Sequence, residues 1–398
     1  MHKCGVACLL IAMVAARPAV LCLAPVAGVN NGTGVHAACA AFASDGGSVA
    51  ASVDGATLSA DVTDAAGHVS RLTLPFDDSS TRYQRIHAQY HTCSVYFDRD
   101  SDLIAVGMTY GLPTYYVYVA VADATHLKWI GHWTVGPESG VFIPRLAGFL
   151  GKNLLVGGEP FTRMNPGVAI RSGSFVSLVF DPHARQLDHG RTERTYAPAA
   201  SGYPLYVDPE HNRLWFFPGV VDSPRFSHLP DHPVSWIALT GDTSSSQVTP
   251  RTPGDRRMAS WLWPGAFVAP NADTIAVAEE KRIWVVHVRE QTWDRIDLPG
   301  RSFFPHSKGI VGASALSPDG RIAAFRLVKR HVPFPYLLHD WVYSGTDFAV
   351  VDLQRLQLLR IVRGAGPTSV VSCAVDHRQD RVALLLFREG GWEHLQLN

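Results

Sequence analysis

The chain has 398 residues, with 35 Lys and Arg balanced against 35 Asp and Glu, and only 18% of its residues are charged, against roughly 25% in an average soluble protein. A net charge of zero with no basic or acidic block gives no field for nucleic acid or an anionic membrane surface, so neither is expected as a partner. This length does not force two domains, because propellers and barrels repeat one sheet unit around an axis.

The N-terminus reads as a targeting signal. Met1-His2-Lys3 is a short basic start, and residues 4–16, CGVACLLIAMVAA, are apolar up to Arg17 and Pro18. Such a run fits the apolar core of a secretory signal, about 7–15 residues, and falls short of the roughly 20 that a membrane span needs. The expectation is therefore a signal peptide over 1–16, a single domain over 17–398, a secreted or periplasmic location, and no membrane insertion once the leader is removed. Small residues permit cleavage after Ala16 or after Gly28, and the sequence leaves both open. Cys22 follows Leu21, which argues against a lipidated N-terminus.

Downstream, apolar runs recur with a turn signal inside each. In chain order they are AAFASDGGSVAA near Asp45, SVYFDRDSDLIAVG near Asp100, AGFLGKNLLVGG near Lys152, LYVDPEHNRLWFF near Glu210 and AFVAPNADTIAVA near Asn271. VGASALSPDGRIAAF near Asp319 and CAVDHRQDRVALLL near Arg378 complete the set. The sixth is the cleanest: an apolar strand meets Ser317-Pro318-Asp319-Gly320, where Pro presets φ and Gly tolerates φ > 0, and a second apolar strand returns. The anchors lie 48 to 61 residues apart, enough for four short strands each time. In the fifth copy the further pair is visible as Arg282-Ile-Trp-Val-Val-His-Val and then Trp293-Asp-Arg-Ile-Asp-Leu.

The Ser-Pro-Asp-Gly hairpin resembles the repeat of bacterial TolB-like and related WD40-like propellers, and by period the resemblance spans residues 36–398. It implies an all-β fold, a seven-bladed β-propeller of four-stranded antiparallel blades. The last copy offers strands near 369–375, 381–387 and 391–397 and no fourth. The N-terminal segment Pro18-Ala-Val-Leu-Cys-Leu-Ala-Pro-Val26 reads as the strand that completes it, which favours cleavage after Ala16.

Propeller geometry sorts the loops. The connections from strand four to strand one of the next blade, and the strand-two-to-three loops, open on one face, while the Ser-Pro-Asp-Gly turns lie on the other. Long second-to-third-strand loops are expected at 158–173, 218–233 and 328–345, and such loops tend to carry function. They bring Arg163, His228, His232, His331 and Tyr336 to the face that also receives His87, His91, Arg256, Trp261, Trp263, His306 and Lys308 from the entry loops. Aromatic, imidazole and cationic groups around one mouth suit a polar ligand or an extended peptide.

Other chemistry finds little support. His87-x3-His91 lacks the Glu of His-Glu-x-x-His. Asp98-x-Asp100-x-Asp102 has Leu103 where a calcium loop needs Gly. No nucleophile elbow, phosphate-binding loop or dinucleotide fingerprint occurs, so no metal and no cofactor is expected. Of the six cysteines, Cys4, Cys8 and Cys22 lie in or beside the leader. Cys39, Cys93 and Cys373 fall on the innermost strands of blades one, two and seven, and a bond from Cys39 to Cys373 or to Cys93 would lock the seam of the ring. The function expected is a monomeric, non-catalytic module that binds an unknown protein or small-molecule ligand through its loop-rich face. The alternative is a propeller lyase or hydrolase using His and Arg at the channel mouth.

Overall fold

The computed structural model describes residues 35–43, 46–54, 57–75, 90–98, 102–110, 116–135, 141–150, 153–160, 174–181, 186–188, 202–208, 210–218, 235–238, 245–247, 266–279, 282–299, 308–331, 342–364, 370–376, 381–388 and 391–397. They contain strands and turns and no helix.

The strands form seven antiparallel sheets, each built in chain order from inside to outside. The first comprises β1 (Val35–Phe42), β2 (Ser48–Asp54), β3 (Thr57–Thr63) and β4 (Val69–Pro75), and the second β5 (Tyr90–Asp98), β6 (Leu103–Tyr110), β7 (Tyr116–Asp123) and β8 (Lys128–Val135). The third has β9 (Val141–Leu150), β10 (Asn153–Pro160), β11 (Ser174–Asp181) and β12 (Gln186–Asp188); the fourth has β13 (Gly202–Asp208), β14 (Arg213–Pro218), β15 (Ser235–Ala238) and β16 (Ser245–Gln247). The fifth has β17 (Ala266–Val268), β18 (Thr274–Glu279), β19 (Arg282–His287) and β20 (Thr292–Asp297). The sixth has β21 (Lys308–Leu316), β22 (Ile322–His331), β23 (Val342–Asp352) and β24 (Gln357–Val362), and the seventh only β25 (Val370–Asp376), β26 (Arg381–Arg388) and β27 (Gly391–Leu397).

Each innermost strand adjoins the next: β1 meets β5, β5 meets β9, and so on to β25, which returns to β1. That closed succession of radially stacked sheets is a β-propeller. All seven hairpins read from the sequence are present as the first two strands of a sheet. The segment expected to complete the last sheet, Pro18–Val26, lies outside the described residues, as do the leader and both cleavage positions.

Stacking explains why the middle strands lack the polar-apolar alternation of a one-sided sheet. Along β7, Tyr118, Ala120 and Ala122 pack toward blade one with Val49, Leu58 and Leu72, while Val117, Val119 and Val121 pack toward blade three with Leu154 and Val156. Both faces are buried, so the strand reads as a continuous apolar run. The same apolar filling joins blades four and five around Trp215 and Trp284, five and six around Phe325, and six and seven around Phe348 and Leu384.

The disulfide joins Cys39 of β1 to Cys93 of β5, with Cα atoms 5.3 Å apart, and Cys373 is a buried free thiol. A Cys39–Cys373 bond is thereby corrected to the other pairing the sequence left open. The reason is the side of the sheet. Cys39 and Cys93 pack in the seam between blades one and two. Cys373 points the other way, into the seam between blades six and seven, where its Sγ donates to the Ile322 carbonyl at 3.4 Å. Burial, with the charge of Asp319 adding to it, pushes this thiol well above its ordinary range and keeps it protonated.

Candidate binding face

The turns on one face of the ring are closed by their own hydrogen bonds. On the turn face, the repeat closes its own polar groups. In blade six Ser317 N–H donates to the Ile322 carbonyl and Ile322 N–H to Ser317 Oγ, both at 2.8 Å, while Gly320 N–H donates to the Ser317 carbonyl. Ser317 Oγ–H donates in turn to Asp319 Oδ1. Gly320 has φ +75, and a Cβ there would meet Pro270 Cδ at 2.8 Å and Ala269 Cβ at 2.9 Å. Only Gly therefore satisfies both the backbone and the packing against the neighbouring blade's turn.

A second device recurs from blade to blade. The residue just past strand three donates its N–H to a carbonyl at the end of the first turn: Ala124 to Asp102, Val288 to Asp273 and Leu353 to Arg321, each at 2.8 Å. Side chains reinforce the link. Thr125 Oγ1 donates to Asp102 at 3.0 Å, Arg289 to Asp273 at 2.6 Å, and Arg321 Nε to Asp352 at 2.9 Å. The Asp352 carboxylate has no exposed area and also accepts Gln354 N–H and Arg355 N–H.

Histidines cap this face too. His68, His126 and His211 each bring Nδ1 to within 3.0 Å of Asp64, Asp123 and Asp208. The backbone N–H of His68, then its ring, hold the Asp64 carboxyl below its usual value against a small burial effect. For Asp123 burial is the largest influence and pulls upward, but hydrogen bonds from His126 and Thr125 outweigh it and leave the carboxyl lowered. These acids and histidines are occupied with each other.

The opposite face receives the starts of first strands and the ends of second strands. His91 lies at the start of β5, Lys308 opens β21 and His331 closes β22, so the backbone brings all three to this face, in blades two and six. The sequence reading places His91, Lys308 and His331 in loops. Here they are terminal strand residues, because β22 and β23 run on to pair His331 with Val342 and shorten the intervening loop to 332–341. His87, Arg256, Trp261, Trp263, His306 and Tyr336 lie outside the described residues, as do Arg163, His228 and His232.

Register adds residues that the sequence reading passes over. In blade two Tyr110 pairs with both Tyr90 and Tyr116, beside His91. In blade six Lys308 pairs with Lys329, followed by Arg330 and His331. The signal for the second group was the run Lys329-Arg330-His331 at the far end of the cleanest hairpin. Deeper in β22, burial pushes the Arg326 guanidinium down to about 10, and its Cζ lies 5.7 Å from the Phe348 ring centroid.

No model of a known protein family matches the chain, and no curated protein matches its sequence. Solved structures are similar to it at low identity. The hydrazine synthase of Kuenenia stuttgartiensis is 12% identical over 93% of this chain and 99% of that one, with a TM-score of 0.47. The periplasmic gluconolactonase PpgL of Pseudomonas aeruginosa is 13% identical over 90% of this chain and 95% of that one, with a TM-score of 0.43. The Dos1 propeller is 13% identical over 90% and 77%, with a TM-score of 0.40. At this distance no site or activity passes between the chains, and the class of this protein, an all-β propeller, rests on its own strand order.

Proposed function

We propose that the chain is an exported β-propeller that binds a protein segment or small ligand through the face onto which its inter-blade connections open. The observation that carries this reading is which residues the strand order brings to each face. The turns that carry Asp102 and Thr125, Asp273 and Arg289, and Arg321 and Asp352 are closed by internal hydrogen bonds and ion pairs, and the strand ends of the other face carry His91 with Tyr90, Tyr110 and Tyr116 in blade two and Lys308, Lys329, Arg330 and His331 in blade six. A scaffold of packed sheets that presents its long connections on one face is the arrangement of a recognition module.

The Cys39–Cys93 bond supports export, because disulfides persist in oxidising compartments. The apolar run at 4–16 supplies a leader for it, and the Ser-Pro-Asp-Gly turn supports kinship with TolB-like propellers. In this reading residues 18–26 remain on the mature chain as the outer strand of the last sheet. The test is a thermal-shift screen of the mature protein against sugars, peptides, nucleotides and divalent metals. A melting-temperature rise that disappears in His306→Ala or Trp263→Ala supports the reading. A rise unaffected by both variants and lost instead on substituting Arg289 or His126 refutes it.

A further inference from the structure

We propose that the ring opens and recloses in the native protein at one seam, the seam between blade seven and blade one, a property of the scaffold that holds whichever ligand the connection face takes. Side-chain alternation along the inner strands sets the two walls of this seam. In blade one Cys39, Val49, Ala51, Leu58 and Ala60 pack toward blade two. The residues that alternate with them in β1 and β2, namely Ala38, Ala40, Ser48, Ala50 and Ser52, therefore turn toward blade seven, where β1 adjoins β25. Phe42, at the turn end of β1, is the one large side chain of that row and is half-buried. In blade seven Val371, Cys373, Val382, Leu384 and Leu386 pack toward blade six, which turns Ser372, Ala374, Ala383, Leu385 and Phe387 toward blade one.

Alanine and serine remove little apolar area from water and give a neighbour nothing to interlock with. Other seams are filled by large side chains: Leu58, Met108 and Tyr118 between blades one and two, Trp215 and Trp284 between four and five, Phe325 between five and six, Phe348 and Leu384 between six and seven. Specific links add to this filling. The Cys39–Cys93 bond ties blade one to blade two, Tyr206 Oη donates to the Pro270 carbonyl of blade five at 3.3 Å, Gly320 backs onto Ala269 and Pro270 of blade five, and Cys373 Sγ donates to the Ile322 carbonyl of blade six. On the wall that blade one presents to blade seven, the charged pair is closed within the blade: Arg71 Nε and Nη2 donate to the Asp61 carboxylate at 2.6 and 2.7 Å.

A closed ring yields at its weakest joint, because opening one seam relieves the constraint on the others. Blade one is covalently tied to blade two, so the two move together and the opening falls on the far side of blade one, against blade seven.

The test is native-state thiol labelling, with Cys373 as the built-in control. Ser372 and Cys373 are neighbours on β25 that face opposite seams, and they are 3% and 0% exposed. Wild type reports the six–seven seam through Cys373. Ser372→Cys/Cys373→Ala reports the seven–one seam from blade seven, and Ser48→Cys reports it from blade one, each exchanging a buried hydroxyl for a thiol. The oxidised mature proteins are incubated with N-ethylmaleimide well below their melting temperatures, modification at each position is followed by peptide mass spectrometry, and calorimetry confirms that their stabilities match. Cysteines at 372 and 48 are expected to react at least tenfold faster than Cys373. Urea should accelerate them less than it accelerates Cys373, because a local opening exposes less surface than global unfolding. Rates at 372 and 48 that equal or fall below the rate at Cys373 overturn the proposal. So do rates that rise with urea as steeply as the rate at Cys373, since the reaction would then proceed through global unfolding.

Discussion

Removing the Cys39–Cys93 bond is the perturbation whose size follows most directly from the fold. The bond closes a loop with a sequence separation of 54. In the chain-entropy treatment a loop of that length restricts the unfolded chain by about 14 cal/mol/K, or about 4 kcal/mol at 25 °C. Unfolding entropy near 60 °C is about 2.1 cal/mol/K per residue, which over the chain from Val35 onward sums to about 0.8 kcal/mol/K. The double variant Cys39→Ala/Cys93→Ala is therefore expected to melt about 5 °C below wild type. The assay is scanning calorimetry of wild type with and without reductant beside the double variant. Cys373→Ala serves as the control for simple loss of a buried sulfur. The reduced wild type and the double variant should coincide. A double variant within about 1 °C of oxidised wild type would refute the argument, because it would mean that blades one and two are held in place without any restriction of the unfolded chain.

Other positions give sharper local tests. Gly320→Ala imposes a side chain at φ +75 against Pro270 and Ala269, and should cost at least about 1–2 kcal/mol in urea unfolding. Asp352→Ala removes the fully buried carboxylate that accepts from Arg321 Nε, Gln354 N–H and Arg355 N–H and should cost about 3 kcal/mol, readable in the same experiment. Asp123 has a carboxyl lowered from 3.8, so it stabilises the fold above its unfolded value and loses that contribution as pH falls through the folded one. The stability gap between wild type and Asp123→Asn should be open above pH 3.8 and narrow as pH falls below it. A gap that widens in acid would reverse the assignment.

Most of the fold is legible because it is written in turn chemistry. Ser317-Pro318-Asp319-Gly320 fixes a hairpin by φ preference alone, and the period then implies the rest. The strands of the last blade fall within a residue or so of those read from the sequence, Val370–Asp376, Arg381–Arg388 and Gly391–Leu397. Outer strands are less legible. Gln186–Asp188 and Ser245–Gln247 are three residues each, with one apolar residue between them, too short for any alternation to be read.

The disulfide partner could not be read because spacing identifies a strand but not which of its two faces a side chain takes. Cys373 and Cys39 sit on neighbouring inner strands, yet pack into different seams. The basic end of blade six escaped for a related reason. Lys308 and Lys329 are far apart in sequence, and only the register of β21 against β22 makes them a pair. His126 and His211, which the sequence reading passes over, each cap an aspartate in a turn.

The measurement that bears most directly on the central claim is hydrogen exchange by mass spectrometry on the mature protein, free and saturated with the best ligand of the thermal-shift screen. Binding through the connection face predicts slowed exchange at the starts of β5 and β21 and the end of β22, with the turns at 269–274 and 317–322 unchanged. Protection confined to those turns, with the strand ends untouched, would contradict it.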